Sequence, residues 1–388
     1  MKLKKMIGGA LAAATLGTVM LSGVAGADGT NPQTTGTGWD DKNDTIIGGG
    51  SDTTYVWMQG AERLYNQAGG CRVITDKTSP LKGQCQTGSG QDATDNTGNW
   101  DHDATVSAYP TGSSAGVADL LGQDTGTGAP ARLYNYARSS RGPGASGDTG
   151  AVFWGYGKDA LSMVTFGRSG DLSVQDIKDI YSCAKTDWSL VGGGSLGSGP
   201  IQPIGMNPAS GTYGTFKTFL GFEPNAGACV AKDSSGNYPF ENDVKQLNDV
   251  NFNKPNAIWW MSAGEWKSFP FKRQDALLNT VGGKSPVNPT QVALNQYPIT
   301  RFVYHVTLAA DASPVPASDS VTGGSSGKSG AVREFTRFIC KNSASHGLNS
   351  FTGNSNSAEL DKVYSATGFL RVPTGERTNG VCKVAIAP

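Results

Sequence analysis

Segments with strand spacing and segments with helix spacing alternate along this chain, and loops rich in glycine and hydroxyl residues join them. Ile177 and Ile180 lie on one face of an amphipathic stretch, 174–182, while 302–308 is a short apolar run. Such alternation is typical of an α/β fold with largely parallel sheets. The pattern predicts strands at 45–48, 133–137, 161–166, 201–205 and 302–308, and helices at 53–67, 114–121, 174–182, 212–220 and 332–341.

Composition limits the classes of function that such a fold can carry. The chain has 388 residues, of which 54 are glycine and 37% are hydrophobic. This hydrophobic content excludes a disordered chain, and the glycines follow no Gly-X-Y repeat, so the chain is not collagen. Basic and acidic residues balance at 32 each. A nucleic acid is therefore not expected as a partner, because its binding needs a strong positive field.

The first 27 residues have the pattern of a secretory signal peptide. Three lysines precede an apolar stretch from Met6 to Val24, and Ala25-Gly26-Ala27 offers a small-residue cleavage site. The alternative is an uncleaved anchor helix, which the weak hydrophobicity of this stretch disfavours. No cysteine ends the stretch to carry a lipid. We expect a periplasmic or secreted protein that is not membrane-embedded and begins with a polar tail at 28–44.

Six cysteines agree with export. None forms a CxxC pair or a zinc-type Cys/His cluster. An even number in an exported chain predicts three disulfides. Fifteen pairings are possible, and we favour the sequential one because each bridge then closes a local loop: Cys71 with Cys85, Cys183 with Cys229, and Cys340 with Cys382.

Four loops between strands and helices combine glycine with hydroxyl groups. They are residues 48–54, 112–116, 137–143 and 210–212. Loops of this kind present N–H groups and hydroxyls at helix N-termini, where the helix dipole favours an anion. The same residue types are ordinary helix caps and turns, which is the alternative for any one loop.

Two arginines add positive charge to the loop at 137–143. Arg138 and Arg141 flank two serines, and a guanidinium group suits a tetrahedral oxyanion. Surface salt bridges are the alternative for both. The candidate ligand-binding residues are Ser51, Asp52, Thr53, Ser113, Ser114, Arg138, Ser139, Ser140, Arg141, Ser210, Gly211 and Thr212.

Catalytic chemistry has little support in the sequence. His305 lies in an apolar strand and is expected in a core or at a hinge, and His102 lies in a polar loop. The pair Trp259-Trp260 fits a core or a domain interface better than a carbohydrate site. No Gly-x-Ser-x-Gly elbow has suitable triad partners. We therefore predict no enzyme, no cofactor and no metal.

The order of these motifs resembles the phosphate-binding proteins of ABC uptake systems, which have the type II periplasmic-binding-protein fold. The similar segments are 50–53, 112–116, 137–143, the helix 172–181 through to Trp188, 210–220 and 297–300, within about 46–345. The resemblance implies two α/β domains with a hinged cleft between them. The first domain is then discontinuous, 45–154 and 298–388, and the second is 155–297, with crossovers near 153–157 and 295–300.

Two positions depart from the family pattern. The family has an arginine four residues before its Ser-Gly-Thr motif, and this chain has Met206 there. The family's aspartate that accepts a proton from hydrogen phosphate corresponds to Ser140, so Asp52 becomes the candidate acceptor. Arg138 or Arg141 could replace the missing arginine. Phosphate is the first candidate ligand, with sulfate or another oxyanion as the alternative.

The resemblance implies a solute-binding protein that captures an oxyanion in its cleft and delivers it to an ABC permease. The rival interpretation is a secreted or surface structural or adhesive protein that reuses the same fold, which the absent lipid anchor and the altered anion residues favour. A phosphatase on this scaffold is a third possibility, and it lacks a nucleophile–base pair.

Overall fold

A computed structural model of the chain describes residues 46–68, 105–122, 134–144, 146–309, 332, 335–336, 338–340, 356–378 and 382–387. All of these lie in one compact unit, Gly38–Pro388. Several predicted features fall outside the described residues: the signal peptide, the polar tail, His102 and the Cys71–Cys85 bridge.

The strands of the described part include the five predicted ones, with shifted bounds. They are β1 (Ile46–Gly50), β2 (Thr105–Pro110), β3 (Tyr136–Ser139), β4 (Ala151–Phe166), β5 (Asp171–Leu172), β6 (Gln202–Pro203), β7 (Ala257–Ser262), β8 (Ala276–Leu278), β9 (Thr280–Val281), β10 (Thr300–Leu308), β11 (Leu370–Arg371) and β12 (Lys383–Ile386).

The α-helices of the described part also match the predicted positions where a prediction was made. They are α1 (Tyr55–Ala68), α2 (Ser113–Leu121), α3 (Val174–Tyr181), α4 (Gly211–Leu220), α5 (Ala263–Ser268), α6 (Pro270–Arg273), α7 (Pro289–Ala293) and α8 (Asn356–Thr367). The described residues of the predicted helix 332–341 are helical too. None of the helices in the described part is long and apolar enough to cross a membrane.

The main sheet is mixed, which differs from the largely parallel sheet that the alternation predicts. Strands β2, β1 and β3 are parallel to one another, and β6 is parallel to β7. Strand β4 is antiparallel to β10, β11, β12, β7 and β8. The sequence did not reveal the full length of β4, the strand on which the antiparallel pairs form. Its first half contains Gly155, Gly157 and the charged pair Lys158-Asp159, so only its apolar end, 161–166, had strand spacing.

Strand β4 passes from one hydrophobic core to another. Its residues 151–160 pair with β10, and its residues 161–165 pair with β7. The largest core consists of buried side chains from residues 160–299, and the two smaller cores take theirs from residues 57–156 and 303–387. This distribution supports two structural halves, while the domain bounds 154/155 and 297/298 remain a prediction.

Local chemistry explains how the helices begin. Ser173 caps α3 in a capping box, in which its hydroxyl accepts from the N–H of Asp176 at 2.9 Å and the Asp176 carboxylate accepts from the N–H of Ser173. Ser210 caps α4 by accepting from the N–H groups of Thr212 and Tyr213. Helix α4 ends at Gly221, whose φ of 84° is in the left-handed region that glycine adopts easily.

Two of the three predicted disulfides lie in the described residues, and both are confirmed. Cys183 is bonded to Cys229, and Cys340 is bonded to Cys382. Each bridge closes a loop of more than forty residues, which restricts the unfolded chain and stabilises the fold by about 2–4 kcal/mol in typical proteins.

The core assignments of His305 and of the two tryptophans are confirmed. Trp259 and Trp260 are fully buried, and Trp260 stacks on Phe216 with ring centroids 4.1 Å apart. His305 is fully buried, and its Nε2 lies 2.9 Å from the hydroxyl of Thr336. Burial lowers the pKa of His305 to about 3, because a charged imidazolium would lose its hydration there.

The buried imidazole predicts a pH dependence of stability. In the unfolded chain a histidine has a pKa of about 6.5, so below pH 6.5 the unfolded state binds a proton that folded His305 does not bind. The contribution of His305 to the free energy of unfolding is therefore highest above pH 6.5 and decreases as the pH falls toward 3. Between pH 6 and 5 the wild type should lose about 1 kcal/mol more than His305→Gln. Urea unfolding at both pH values measures this difference, and equal losses in the two proteins would contradict it.

Candidate functional site

Hydroxyl groups from three of the four glycine-rich loops meet at one buried point. The Ser51 hydroxyl donates to the Ser140 hydroxyl at 3.0 Å, and the hydroxyls of Ser113 and Ser140 lie 3.3 Å apart. The N–H of Ser140 donates to the Ser113 hydroxyl at 3.0 Å. All three residues are fully buried. Loops separated by up to 89 residues in sequence therefore form one hydroxyl cluster.

The fourth loop contacts the first loop through Thr212 near the start of α4. Its hydroxyl lies 3.3 Å from that of Thr53, and Thr53 also accepts from the side-chain amide of Asn242 at 2.9 Å. Asn242 is held in place because its amide oxygen accepts from the N–H of Ser262 at 2.9 Å. Its φ of 64° is a left-handed conformation that asparagine tolerates better than most residues.

Gly211 lies directly against the serine hydroxyls. A Cβ atom at this position would be only 2.5 Å from the Ser140 hydroxyl oxygen and closer still to that of Ser113. Real Cβ atoms do not approach other atoms that closely, so a larger residue would push α4 away from the loops. The glycine of the Ser-Gly-Thr motif thus permits the contact between the two sides of the site.

A buried ion pair supplies the positive charge of the site. The guanidinium group of Arg301, on β10, donates from Nε and Nη2 to one carboxylate oxygen of Asp159 at 3.0 and 2.8 Å. Its Nη1 donates to the Thr212 hydroxyl at 2.8 Å and to the backbone oxygen of Ser140 at 3.2 Å. Arg301 and Asp159 are 6% and 3% exposed, so this pair is shielded from water and connects both sides of the site.

A second buried carboxylate lies at the N-terminus of α4. Glu241 is 1% exposed, and one of its oxygens accepts from the Ser210 hydroxyl and, at 3.2 Å, from the N–H of Thr212. Its other oxygen, Oε1, has no hydrogen-bond partner among the described residues. The donors that the sequence assigned to an anion therefore already contact a negative side chain.

The arginines of the loop at 137–143 contact other protein groups. Arg138 is fully buried and donates to the backbone oxygens of Gly48 and Ser51, at 2.9 and 3.4 Å, so it fixes the shape of the first loop. Arg141 makes a two-bond ion pair with Asp148, at 2.6 and 3.0 Å, and donates to the Ser114 hydroxyl at 3.1 Å.

Two further predicted residues, Ser139 and Asp52, contact the loops around the cluster. Ser139 donates to the backbone oxygen of Arg141 at 2.7 Å and closes a tight turn. Asp52 lies 3.4 Å from the Lys272 ammonium group, which also binds Glu265 at 2.6 Å. Burial and the nearby Glu241 charge raise the pKa of Asp52, and Lys272 opposes that rise.

Four residues of the site were missed by the sequence analysis. They are Asp159, Glu241, Asn242 and Arg301, all buried. Arg301 follows the motif 297–300 directly, so its position carried a signal in the sequence. Asp159 lies in the half of β4 that contains glycines and charges, where the sequence showed no strand. Glu241 and Asn242 lie in the segment between Leu220 and Ala257, which contains neither strand nor α-helix, and no spacing rule pointed to them.

The arrangement offers many neutral donors and little net charge. Hydroxyls can rotate to donate to a ligand, and the charge of Arg301 is shared with Asp159. No group of three or more His, Cys, Asp or Glu side chains in the described part could hold a metal ion. Such a site can bind a group rich in hydrogen-bond acceptors.

Comparison with known proteins assigns the chain to a family. A family model described as the PBP superfamily domain matches residues 91–342, well over half of the chain. The chain belongs to the PBP superfamily. The matched segment contains three of the four loops and Arg301, and it begins after Ser51 and Thr53. No curated protein matches the sequence.

A solved structure of similar fold supports this family assignment. A protein described as a phosphate ABC transporter substrate-binding protein, from Clostridium perfringens with bound phosphate, is 15% identical, with a TM-score of 0.52; the match covers 85% of this chain and 100% of that one. An ABC-type phosphate transport receptor from Vibrio cholerae, also 15% identical, has a TM-score of 0.48, with 84% and 99% covered. The chain has the mixed α/β, two-domain type II fold of these solute-binding proteins.

Proposed function

We propose that this protein captures a tetrahedral oxyanion at the hydroxyl cluster and delivers it to an ABC-type permease after export. The observation that carries the proposal is the meeting of hydroxyls from four loops: those of Ser51, Ser113 and Ser140 form one cluster, those of Thr53 and Thr212 form a pair, and the buried guanidinium group of Arg301 contacts both the Thr212 hydroxyl and the Ser140 backbone oxygen. Four separate loops contribute to this point. Helix caps alone do not require such convergence.

The chemistry of the cluster favours an oxyanion over other solutes. Each serine or threonine hydroxyl can donate one hydrogen bond, and Arg301 directs one N–H into the cluster. A tetrahedral oxyanion accepts bonds from many directions, which matches donors that come from different loops. An apolar solute that entered here would separate these buried donors from their present partners and offer no replacement, at a cost of about 1–3 kcal/mol for each donor.

Ligand entry requires the two sides of the site to separate. Loops before β4 contact α4 directly, through Ser113, Ser140 and Gly211, and all are buried. Strands β4 and β10 both run between the halves, so they are the natural place for a hinge. We therefore infer that the arrangement described above is the closed one.

Phosphate is the first ligand to test. The Clostridium perfringens protein of the same fold was determined with bound phosphate, which supports this choice. The proposed leader at 1–27 would carry the protein out of the cytoplasm to a periplasmic or extracellular position. Sulfate is the necessary comparison, because the departures at Met206 and Ser140 remove the family's basis for rejecting it.

The double variant Ser210→Ala with Thr212→Ala tests the site assignment. It removes the cap of α4 and the hydroxyl that Arg301 contacts, so phosphate should bind about a hundredfold more weakly. Calorimetry measures this change, and a cooperative thermal transition confirms that the variant folds. Thr218→Ala is the matched control, because Thr218 lies in the same helix and its hydroxyl contacts only Gly214 among the described residues. Unchanged affinity in the double variant would remove the site assignment.

A further inference from the structure

Glu241 is a buried carboxylate at the site that has no role in the proposed function. It is 1% exposed, and no ion pair among the described residues includes it. The other buried carboxylates nearby have cations: Asp159 has Arg301, and Glu265 has Lys272. An ionised carboxylate without a cation is costly inside a protein, so its retention points to a role.

The position of this carboxylate is that of a bound anion. One oxygen accepts from the Ser210 hydroxyl and from the N–H of Thr212, which are the donors at the N-terminus of a ten-residue helix. Unpaired donors at a buried helix end must find acceptors, and the helix dipole favours a negative one. Glu241 satisfies both conditions from within the chain.

A ligand oxyanion and the Glu241 carboxylate compete for the same place. The N–H of Thr212 already divides its one hydrogen between the Ser210 hydroxyl at 3.0 Å and the Glu241 carboxylate at 3.2 Å, so a ligand oxygen on that donor would lie within hydrogen-bond distance of the carboxylate oxygen. Asp52 lies close by, and its pKa is raised by burial and by the Glu241 charge, while Lys272 opposes that rise. Repulsion between like charges at this distance opposes simultaneous occupancy.

We propose that Glu241 is an internal competitor for the anion. Without ligand, its carboxylate holds the Ser210 hydroxyl and the Thr212 N–H; a bound oxyanion takes over these donors after the carboxylate moves away. Glu241 lies in the segment between Leu220 and Ala257, which has no regular strand or α-helix to hold it rigidly. This inference rests on the proposed function and adds a residue that sets the affinity and favours release.

Calorimetry with inorganic phosphate on the wild type and Glu241→Gln tests the competition. Glutamine keeps an oxygen that can accept from Ser210 and Thr212, so the variant is expected to fold, which thermal unfolding checks. Because the substitution removes the charged competitor, phosphate should bind to Glu241→Gln at least about tenfold more tightly than to the wild type. Glu265→Gln is the matched control: it is the same chemical change at an equally buried carboxylate, which contacts Lys272. We expect a clearly smaller gain there.

The outcomes separate this inference from the proposed function. Weaker binding by Glu241→Gln would show that the carboxylate contacts the ligand, by accepting a proton at Oε1, and would overturn the competition. Equal gains in both variants would indicate a general charge effect and would overturn it as well. No binding by any of the three proteins would remove the proposed function, and the inference with it.

A crystal structure of the wild type with phosphate gives a second test that does not depend on a variant. We expect the Glu241 carboxylate to have left the N–H of Thr212, from which it now lies at 3.2 Å. A phosphate bound at the cluster with this contact intact would overturn the inference and leave the proposed function standing.

Discussion

Replacing Gly211 with alanine is expected to abolish phosphate binding while the protein still folds. The added Cβ would lie 2.5 Å from the Ser140 hydroxyl oxygen and nearer to that of Ser113, and both serines are fully buried. Neither hydroxyl can retreat without breaking its bonds to the neighbouring loop. Helix α4 must therefore move outward, which separates the donors that have to contact one anion. We expect a loss of at least a thousandfold, since misplacing several donors removes their bonds together.

Gly214→Ala provides the control for this variant. It makes the same change in the same helix, and its Cβ would meet the nearest atom, Arg141 Cδ, at an ordinary 3.5 Å. Alanine is also a better helix former than glycine, so this control should be as stable as the wild type or more so. Calorimetry measures the phosphate affinity of both variants, and thermal unfolding measures their stability. Normal phosphate affinity in Gly211→Ala would mean that the ligand does not sit between α4 and the serine loops.

Replacing Arg301 with methionine is expected to cost both stability and binding. The substitution leaves Asp159, 3% exposed, as a buried charge without its cation. Breaking a buried ion pair in this way costs about 3–5 kcal/mol. The same change removes the donor to the Thr212 hydroxyl, so phosphate binding should fall below detection even where the variant remains folded.

A double variant separates the two effects of Arg301. Adding Asp159→Asn to Arg301→Met removes the unpaired charge, so most of the lost stability should return while phosphate binding stays absent. Arg371→Met is the surface control, because Arg371 pairs with Asp361, whose side chain is 56% exposed, and such pairs contribute about 0–1 kcal/mol. Urea unfolding gives the stabilities. Recovery of phosphate binding in the double variant would exclude Arg301 as a ligand contact.

The sequence predicted the loops well because loop chemistry is local. A glycine and hydroxyl residues between a strand and a helix predict a helix N-terminus. Ser113 and Ser210 both lie at the N-terminus of a helix in the structure. The order of motifs then implied that separate loops meet, and the structure brings Ser51, Ser113, Ser140 and Thr212 together.

The charged part of the site could not be predicted in the same way. Which arginine faces the cluster depends on tertiary packing: Arg138, inside a motif, binds backbone oxygens, while Arg301, just after one, reaches Thr212. Glu241 comes from a segment without periodic spacing, so only the folded chain reveals that it caps α4. The length of β4 was missed for a related reason, since the glycines and charges in its first half hide a strand that is buried along all sixteen residues.

Direct measurement of phosphate binding by the wild-type protein tests the central claim. The exported chain is purified, freed of bound ligand by unfolding and refolding with its disulfides intact, and titrated with phosphate and separately with sulfate in a calorimeter. We predict saturable binding of one phosphate per chain, together with a higher midpoint of thermal unfolding in its presence. Absence of both heat and thermal stabilisation with either anion would contradict the claim that the hydroxyl cluster is an oxyanion site.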